Sequence, residues 1–333
     1  SQVKEGKTPK EAKEAVEIAD ALKLTEREFT NVFRNDSARG AARTLVDPKS
    51  SPEKRLSAAL ALGESINQSL PPEKVTEVLG NIGQRIPGND VLNRGNAQLG
   101  NAKAAVDAYT ALFDPKASDA AKAKAGVALA NAAKNLLGTE GPQAMKDLAP
   151  ALRKLDGPAR FAAAGFTLLD PKAKPEDKAL AALQLAGEAP GAWRDSKAFL
   201  QTLRDARVPN PEGLVKDAQS LANSTLGNLP DDLKNKLTAN QVSELGRAGS
   251  KVDIQDLAPL LQKLDANDAG GLDNVLKHVN NAANPEEAKR FLSAVNGLDP
   301  KVTAEALKNP DTAEKLFKLS GKMPLDATTD HLG

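Results

Sequence analysis

The residue types that carry most enzyme chemistry are scarce in this chain and poorly spaced for it. There is no cysteine, which excludes thiolate metal sites, cysteine nucleophiles and a disulfide scaffold. The two histidines, His278 and His331, are far apart and make an ordinary zinc site only if carboxylates or another chain join them. No Gly-x-Ser-x-Gly elbow stands beside a poised base. The carboxylate pairs Asp231-Asp232 and Glu286-Glu287 fall where helix starts account for them. Glycosidase clefts are ordinarily lined by aromatic rings, whereas this chain has one Trp and one Tyr.

Three segments resemble ligand loops and fall short. Asp265-Ala266-Asn267-Asp268-Ala269-Gly270 opens like a calcium loop, but position five is Ala269 and position twelve is Leu276, so the bidentate carboxylate that closes the coordination shell is missing. The segment reads as an Asn/Asp/Gly loop between helices. Gly6-Lys7-Thr8 lacks the earlier glycine and preceding strand of a phosphate loop, and Gly246-Arg247-Ala248-Gly249-Ser250-Lys251 fails the same spacing. No catalytic, cofactor-binding or metal-ligating residue is assigned, and no cofactor is expected. For contact with a partner, the residues to name are Trp193, Arg194 and Tyr109. Trp193 follows the Pro190-Gly191 corner, where an indole either covers the end of a helix pair or anchors a partner; packing is the ordinary role.

Composition sets what could position such residues. At about 150 residues per domain, 333 residues allow roughly two globular domains or one elongated array, and 40% hydrophobic content supplies a continuous core. Forty-five Lys+Arg against 44 Asp+Glu leave a formal charge of +1, so no basic field gathers polyanions and nucleic acid is not the expected partner. The apolar run 162–169 is far short of the ~20 residues that span a bilayer. The first residues carry neither an initiating Met nor the apolar core of a signal peptide, which suggests processing or excision from a longer chain.

Between turns nearly every segment is rich in Ala, Leu, Lys, Glu and Gln, so helices are expected throughout and strands almost nowhere. Ala179, Leu180, Leu183 and Ala186 form one apolar stripe that calls for a partner helix. Helix starts recur in one form: Ser51-Pro52, Lys174-Pro175, Asn210-Pro211, Asn284-Pro285 and Asn309-Pro310, each followed by an acid. Thr25-Glu26-Arg27-Glu28 reads as a capping box.

The most informative pattern is internal repetition. Leu45-Val46-Asp47-Pro48-Lys49, Leu112-Phe113-Asp114-Pro115-Lys116 and Leu168-Leu169-Asp170-Pro171-Lys172 share a motif. The match continues without a gap through Arg55, Lys122 and Lys178, and through Leu60, Val127 and Leu183. A fainter copy is Leu298-Asp299-Pro300-Lys301, and a second element recurs at 147–156 and 256–265. Proline pushes the preceding residue out of helical geometry, so each copy predicts a helix end, a turn made by the Asp, and a new helix. Helical hairpins of this kind bury their apolar faces only by stacking on neighbours, which predicts an all-α fold, an α-solenoid with irregular repeat spacing. Two prolines and a glycine near 208–213 suggest a boundary between an N-terminal array, 1–207, and a C-terminal subdomain, 208–333, that continues the stack.

These Ala/Leu-rich, cysteine-free repeats with Leu-φ-Asp-Pro-Lys corners resemble the degenerate HEAT-like regions of large secreted bacterial effectors and toxins, loosely over residues 20–310. The resemblance implies a non-enzymatic scaffold that binds a host protein, chaperone or immunity protein, with any enzymatic domain elsewhere in the chain. The alternative is an effector enzyme with an unrecognised all-α active site; a structural spacer is a third reading.

Overall fold

Five helices begin where the proline signature places them. Pro52, Pro175, Pro211, Pro285 and Pro310 each occupy the start of a helix, where a missing N–H costs nothing. Asn210, Asn284 and Asn309 accept hydrogen bonds from the N–H groups of Gly213 (3.3 Å), Glu287 (2.9 Å) and Asp311 (2.9 Å), satisfying donors that the first turn leaves open. Thr25 and Glu28 form the expected reciprocal box, at 3.4 and 2.8 Å.

The structure is a computed structural model that describes residues 9–34, 36–86, 96–137, 152, 157–227, 229–263 and 269–322. Eighteen α-helices are present among them. The first eight are α1 (Pro9–Leu22), α2 (Glu26–Val32), α3 (Asp36–Val46), α4 (Pro52–Ser69), α5 (Pro72–Gly83), α6 (Asn96–Phe113), α7 (Asp119–Leu137) and α8 (Ala159–Leu169). They are followed by α9 (Pro175–Leu185), α10 (Ser196–Asp205), α11 (Pro211–Leu226), α12 (Asp231–Lys236), α13 (Ala239–Ala248) and α14 (Ala258–Lys263). The last four are α15 (Ala269–Asn281), α16 (Pro285–Asn296), α17 (Pro300–Lys308) and α18 (Pro310–Ser320). Among the described residues the only β-type pairing is an isolated bridge between Pro190 and Thr238. The all-α expectation holds.

The three Leu-φ-Asp-Pro-Lys copies share one backbone setting. Helices α3, α6 and α8 each end on the residue before the aspartate. The Oδ1 of Asp47, Asp114 and Asp170 accepts the N–H of Lys49, Lys116 and Lys172, at 2.9 Å in every copy. The carbonyl of each aspartate then accepts the N–H three residues on, at 3.1, 3.1 and 3.3 Å. The next helix, α4, α7 or α9, starts five residues past the aspartate each time. The aspartates are thus turn-makers, and the lysines beside them are exposed. The fainter copy differs. Asp299 makes the same contact with Lys301 N at 2.9 Å, but there it caps α17 directly, with no intervening corner. The 147–156 copy of the second element lies outside the described residues except for Leu152.

The chain divides into two compact units, residues 1–173 with 204–209, and residues 174–203 with 210–333. The chain thus passes between the units at 173/174, 203/204 and 209/210, the last of these two residues from the expected 207/208. Pro209 and Pro211 flank that last crossing, where Asn210 caps α11 and Pro211 opens it.

In the first unit each helix packs on the next from α3 to α8, and also on the next but one in the pairs α1–α3, α2–α4, α4–α6 and α6–α8. The small residues permit close approach. A β-carbon on Gly63 would fall 2.6 Å from the Phe113 ring, so the absent side chain is the seat of that ring. Gly126 of α7 and Gly165 of α8 mark a backbone-to-backbone crossing: a β-carbon on the first would stand 2.5 Å from the Phe161 carbonyl, and on the second 2.7 Å from the Gly126 oxygen.

In the second unit α9–α11, α11–α13, α13–α15 and α15–α17 pair, as do α14–α16 and α16–α18; α9 also packs on α13, α15 on α16 and α18, and α17 on α14 and α18. Side chains follow the same step of two. Lys251, just after α13, donates to the carbonyls of Asn280 and Ala282 at the end of α15, both at 2.6 Å. Lys263 of α14 reaches Asn296 O (2.5 Å) and Leu298 O (3.2 Å) at the end of α16. Asn274 of α15 reaches Leu307 O in the last turn of α17 at 2.7 Å, and Arg290 of α16 reaches Gly321 O after α18 at 3.5 Å. Each donor supplies a carbonyl that a helix C-terminus leaves open and, in the three cationic cases, complements the negative helix end. Helix α9 is more enclosed than a single stripe: every residue from Ala179 to Leu185 is buried, including Gln184.

Candidate functional site

The segment between α9 and α10 carries the tryptophan named from the sequence. Gly187 and Gly191 adopt positive φ (87° and 70°), which lets the chain turn twice within a few residues. The loop is pinned where Gly191 N donates to Leu237 O at 3.1 Å and Gly187 O accepts Asn240 N at 3.2 Å. Trp193 is 2% exposed, and its backbone carbonyl accepts Gln219 Nε2 at 3.1 Å. Arg194 lies outside it, its guanidinium 4.7 Å from the indole centroid and hydrogen-bonded to Asn235 Oδ1. Trp193 is therefore an interior anchor that offers no ring to a partner, and Arg194 is the exposed member of the pair.

Tyr109, on α6, is fully buried in the first unit and donates its hydroxyl to Ala59 O at 2.6 Å, with Phe113 5.1 Å away. It too fills the interior rather than a surface, in the first unit, whereas Trp193 and Arg194 belong to the second. Burial, followed by the nearby Glu64 carboxylate, pushes its phenol well above the usual value near 10. The folded state thus favours the neutral phenol. The stability this contributes is complete below the unfolded value near 10 and is lost as pH rises from there toward the folded value. Because the chain has a single tyrosine, phenolate absorbance follows this group alone. Phenolate is expected to appear only with unfolding of the first unit; ionisation near pH 10 with helicity intact would contradict the burial.

A polar cluster lies in the second unit, where Glu244 Oε1 accepts Gln184 Nε2 (2.9 Å) and Arg247 Nη1 (2.7 Å) while Oε2 accepts Asn280 Nδ2 (2.8 Å). Gln184 Oε1 accepts Arg247 Nη2 at 3.3 Å. With both carboxylate oxygens engaged, Glu244 ties α9, α13 and α15 together. His278 packs between Phe317 (5.0 Å, stacked) and Phe291 (5.6 Å, edge-on) and is nine-tenths buried. Among the described residues no group of three His, Asp or Glu could hold a metal ion. The calcium-like segment is described only from Ala269 onward, where it is helix α15 and Asp273 accepts Gln241 Nε2 at 3.0 Å. His331 and the Gly6-Lys7-Thr8 segment lie outside the described residues.

Among the described residues, depressions on the first unit include two lined by polar side chains. One, of about 480 Å³, is lined by Asn31, Arg34, Ser65, Gln68 and Ser69. The other, of about 420 Å³, lies where α1, α3 and α5 end against the first turn of α4, and Asp20, Lys23, Arg55, Asn81, Gln84 and Arg85 line it. Arg55, 7% exposed, donates to Ser50 O (3.0 Å), Asp47 O (3.0 Å) and Arg85 O (3.5 Å), which locks the first Asp-Pro corner. Arg85 Nη2 reaches Ala21 O at 3.2 Å and Asn81 Nδ2 reaches Leu22 O at 3.3 Å, completing the end of α1. Sequence reading named Arg55 only as a repeat position and missed Lys23 and Arg85, because nothing along the chain signals that three helix ends converge there.

No helix among the described residues is long and apolar enough to cross a membrane. No protein-family model, curated protein or solved structure matches the chain.

Proposed function

We propose that the chain is an α-solenoid scaffold that binds a protein, as a module of a secreted bacterial effector or toxin whose partner is a host target, a chaperone or an immunity protein. The observation that carries this reading is the step of two in the second unit, where helix after helix packs on and caps the helix two further on, with donor and acceptor 29 to 35 residues apart. Hairpins stacked in two layers produce that pairing, because each hairpin's helices meet their counterparts in the next. The shared geometry of the three Asp-Pro corners supports the same construction. Affinity in such a scaffold comes from a surface patch, and Arg194, exposed and braced by Asn235, is the named residue able to contribute to it.

Two measurements test the reading. A globule of this length has a radius of gyration of about 20 Å, whereas an extended stack is expected to exceed about 25 Å in solution scattering; a value near the first rejects the solenoid. Affinity capture with the intact chain, from the producing organism and a candidate target cell, is expected to retain a stable protein at mild salt that Arg194→Glu loses. Failure to retain any protein removes the binding reading.

A further inference from the structure

Asn296-Gly297, the chain's one Asn-Gly pair, stands at the end of α16. In such a pair the glycine nitrogen, with no side chain beside it, reaches the asparagine Cγ more readily than in any other sequence, and the side-chain amide is lost spontaneously. We propose that Asn296 is a latent site of deamidation, shut while α16 keeps its last turn and opened by local unfolding of that turn, and that its conversion irreversibly loosens the contact between α14 and α16.

Three sets of contacts keep it shut. Gly297 continues the helical turn at φ −75°, ψ −15°, and its nitrogen, the attacking atom, donates to Ser293 O at 3.0 Å. Asn296 Nδ2, the leaving group, donates to Asp256 O at 3.2 Å, in the turn Ile254–Leu257 ahead of α14. Lys263, at the end of α14, grips the Asn296 and Leu298 carbonyls on either side of the glycine. Attack requires Gly297 N to leave Ser293 O and turn toward Cγ, so the reaction waits for this end of the helix to open. Gly297 itself is exposed, which gives water access to the opened pair.

In the reaction Gly297 N bonds to Asn296 Cγ and gives up its proton, while the Cγ–Nδ2 bond breaks and Nδ2 departs with that proton as ammonia. Water then adds to the cyclic imide and opens one of its two ring C–N bonds, leaving aspartate or isoaspartate; nothing is oxidised or reduced. Neither product refits. Asn296 Oδ1 is shielded from water and accepts no hydrogen bond among the described residues. In the aspartate one carboxylate oxygen therefore keeps that donorless place, and the other meets the Asp256 carbonyl with no proton to give. In the isoaspartate the main chain runs through Cβ, and the carbonyl that Lys263 grips at 296 leaves it.

The test is incubation of the full chain at mildly alkaline pH, folded and in urea, followed by peptide mass spectrometry that resolves asparagine, aspartate and isoaspartate at 296. The folded chain is expected to convert about tenfold or more slowly than the chain in urea. Lys263→Met removes both carbonyl contacts and keeps the aliphatic stem, so it is expected to speed conversion of the folded chain about fivefold without changing the rate in urea. Lys263→Arg, which keeps the donors, is expected to stay nearer the parent. Low urea, short of the parent's own transition, weakens the turn without a substitution and is expected to speed conversion likewise. Gly297→Ala is expected to slow the reaction in both states, which ties it to the glycine nitrogen. Asn296→Asp installs the product directly and is expected to lower the second unit's denaturation midpoint with helicity retained. Equal rates folded and in urea, or no gain of rate in Lys263→Met or in low urea, overturn the closed site, and an Asn296→Asp midpoint equal to the parent's overturns the loosening.

Discussion

Gly126→Ala is expected to lower the melting temperature of the first unit by roughly 6–12 °C, corresponding to about 3 kcal/mol of overpacking. The new methyl would stand 2.5 Å from the carbonyl carbon and oxygen of Phe161 and 2.9 Å from Ala162 N. These are backbone atoms of a buried helix, so no side chain can swing aside, and the two helices must separate. Gly165→Ala meets the same crossing from the other side, at 2.7 Å from Gly126 O, and the double variant is expected to cost less than the sum because one separation relieves both clashes. Gly80→Ala is the control. Nothing lies within 4 Å of a β-carbon there, and α5 gains about 0.5–1 kcal/mol from the better helix former. If Gly126→Ala melts with the parent, α7 and α8 do not cross at this distance.

Glu64→Ala is the second large effect. Glu64, 8% exposed on α4, accepts the N–H of Ala159 at 2.7 Å and so caps α8 from another helix. Helix α8 has no cap of its own, since Pro158 precedes it without a side-chain hydrogen bond. Gly157, at φ 65°, leaves room for the carboxylate: a β-carbon there would fall 2.5 Å from Glu64 Oε2. Truncation strands a buried donor and removes an anion from a helix N-terminus, a loss of about 2–4 kcal/mol. Glu64→Gln keeps an acceptor and forfeits the charge, so denaturation midpoints are expected to fall in the order parent, Gln, Ala. Equal midpoints for Gln and Ala would show that the acceptor has no part in the stability.

What was legible in the sequence was the chemistry that acts within a few residues. The Asx-Pro starts, the Thr25 box and the three Asp-Pro corners depend on dihedral limits and side chains that reach their own backbone, so spacing alone reveals them. The Thr238–Gln241 box follows the same rules, and its Thr-x-x-Gln spacing is as legible as that of Thr25, although the sequence reading did not single it out. Long-range placements were not legible. Lys251, Lys263 and Arg85 have the composition of solvated helix-end cations, and only the stacking of helices brings distant carbonyls to them. Trp193 and Tyr109 were named for contact because rare aromatics often serve it, yet a chain whose other core residues are mostly Ala, Leu and Val also uses its largest rings to fill the widest gaps. Enclosure of α9 from Ala179 to Leu185 was likewise invisible to a periodicity that assumes one solvated face.

The four helix-end bonds of the second unit have a direction. In each, the donor, Lys251, Lys263, Asn274 or Arg290, comes earlier in the chain than the carbonyl it serves. A polypeptide leaving the ribosome therefore carries every such donor before the helix that needs it has been translated, and each new helix finds its terminus prepared. Removal of α18 takes Phe317 from its place against His278 and Phe291 and leaves Arg290 without its carbonyl, whereas removal of α13 and the turn after it strips the donor from carbonyls of a helix left behind. Growth from the amino end is thus templated.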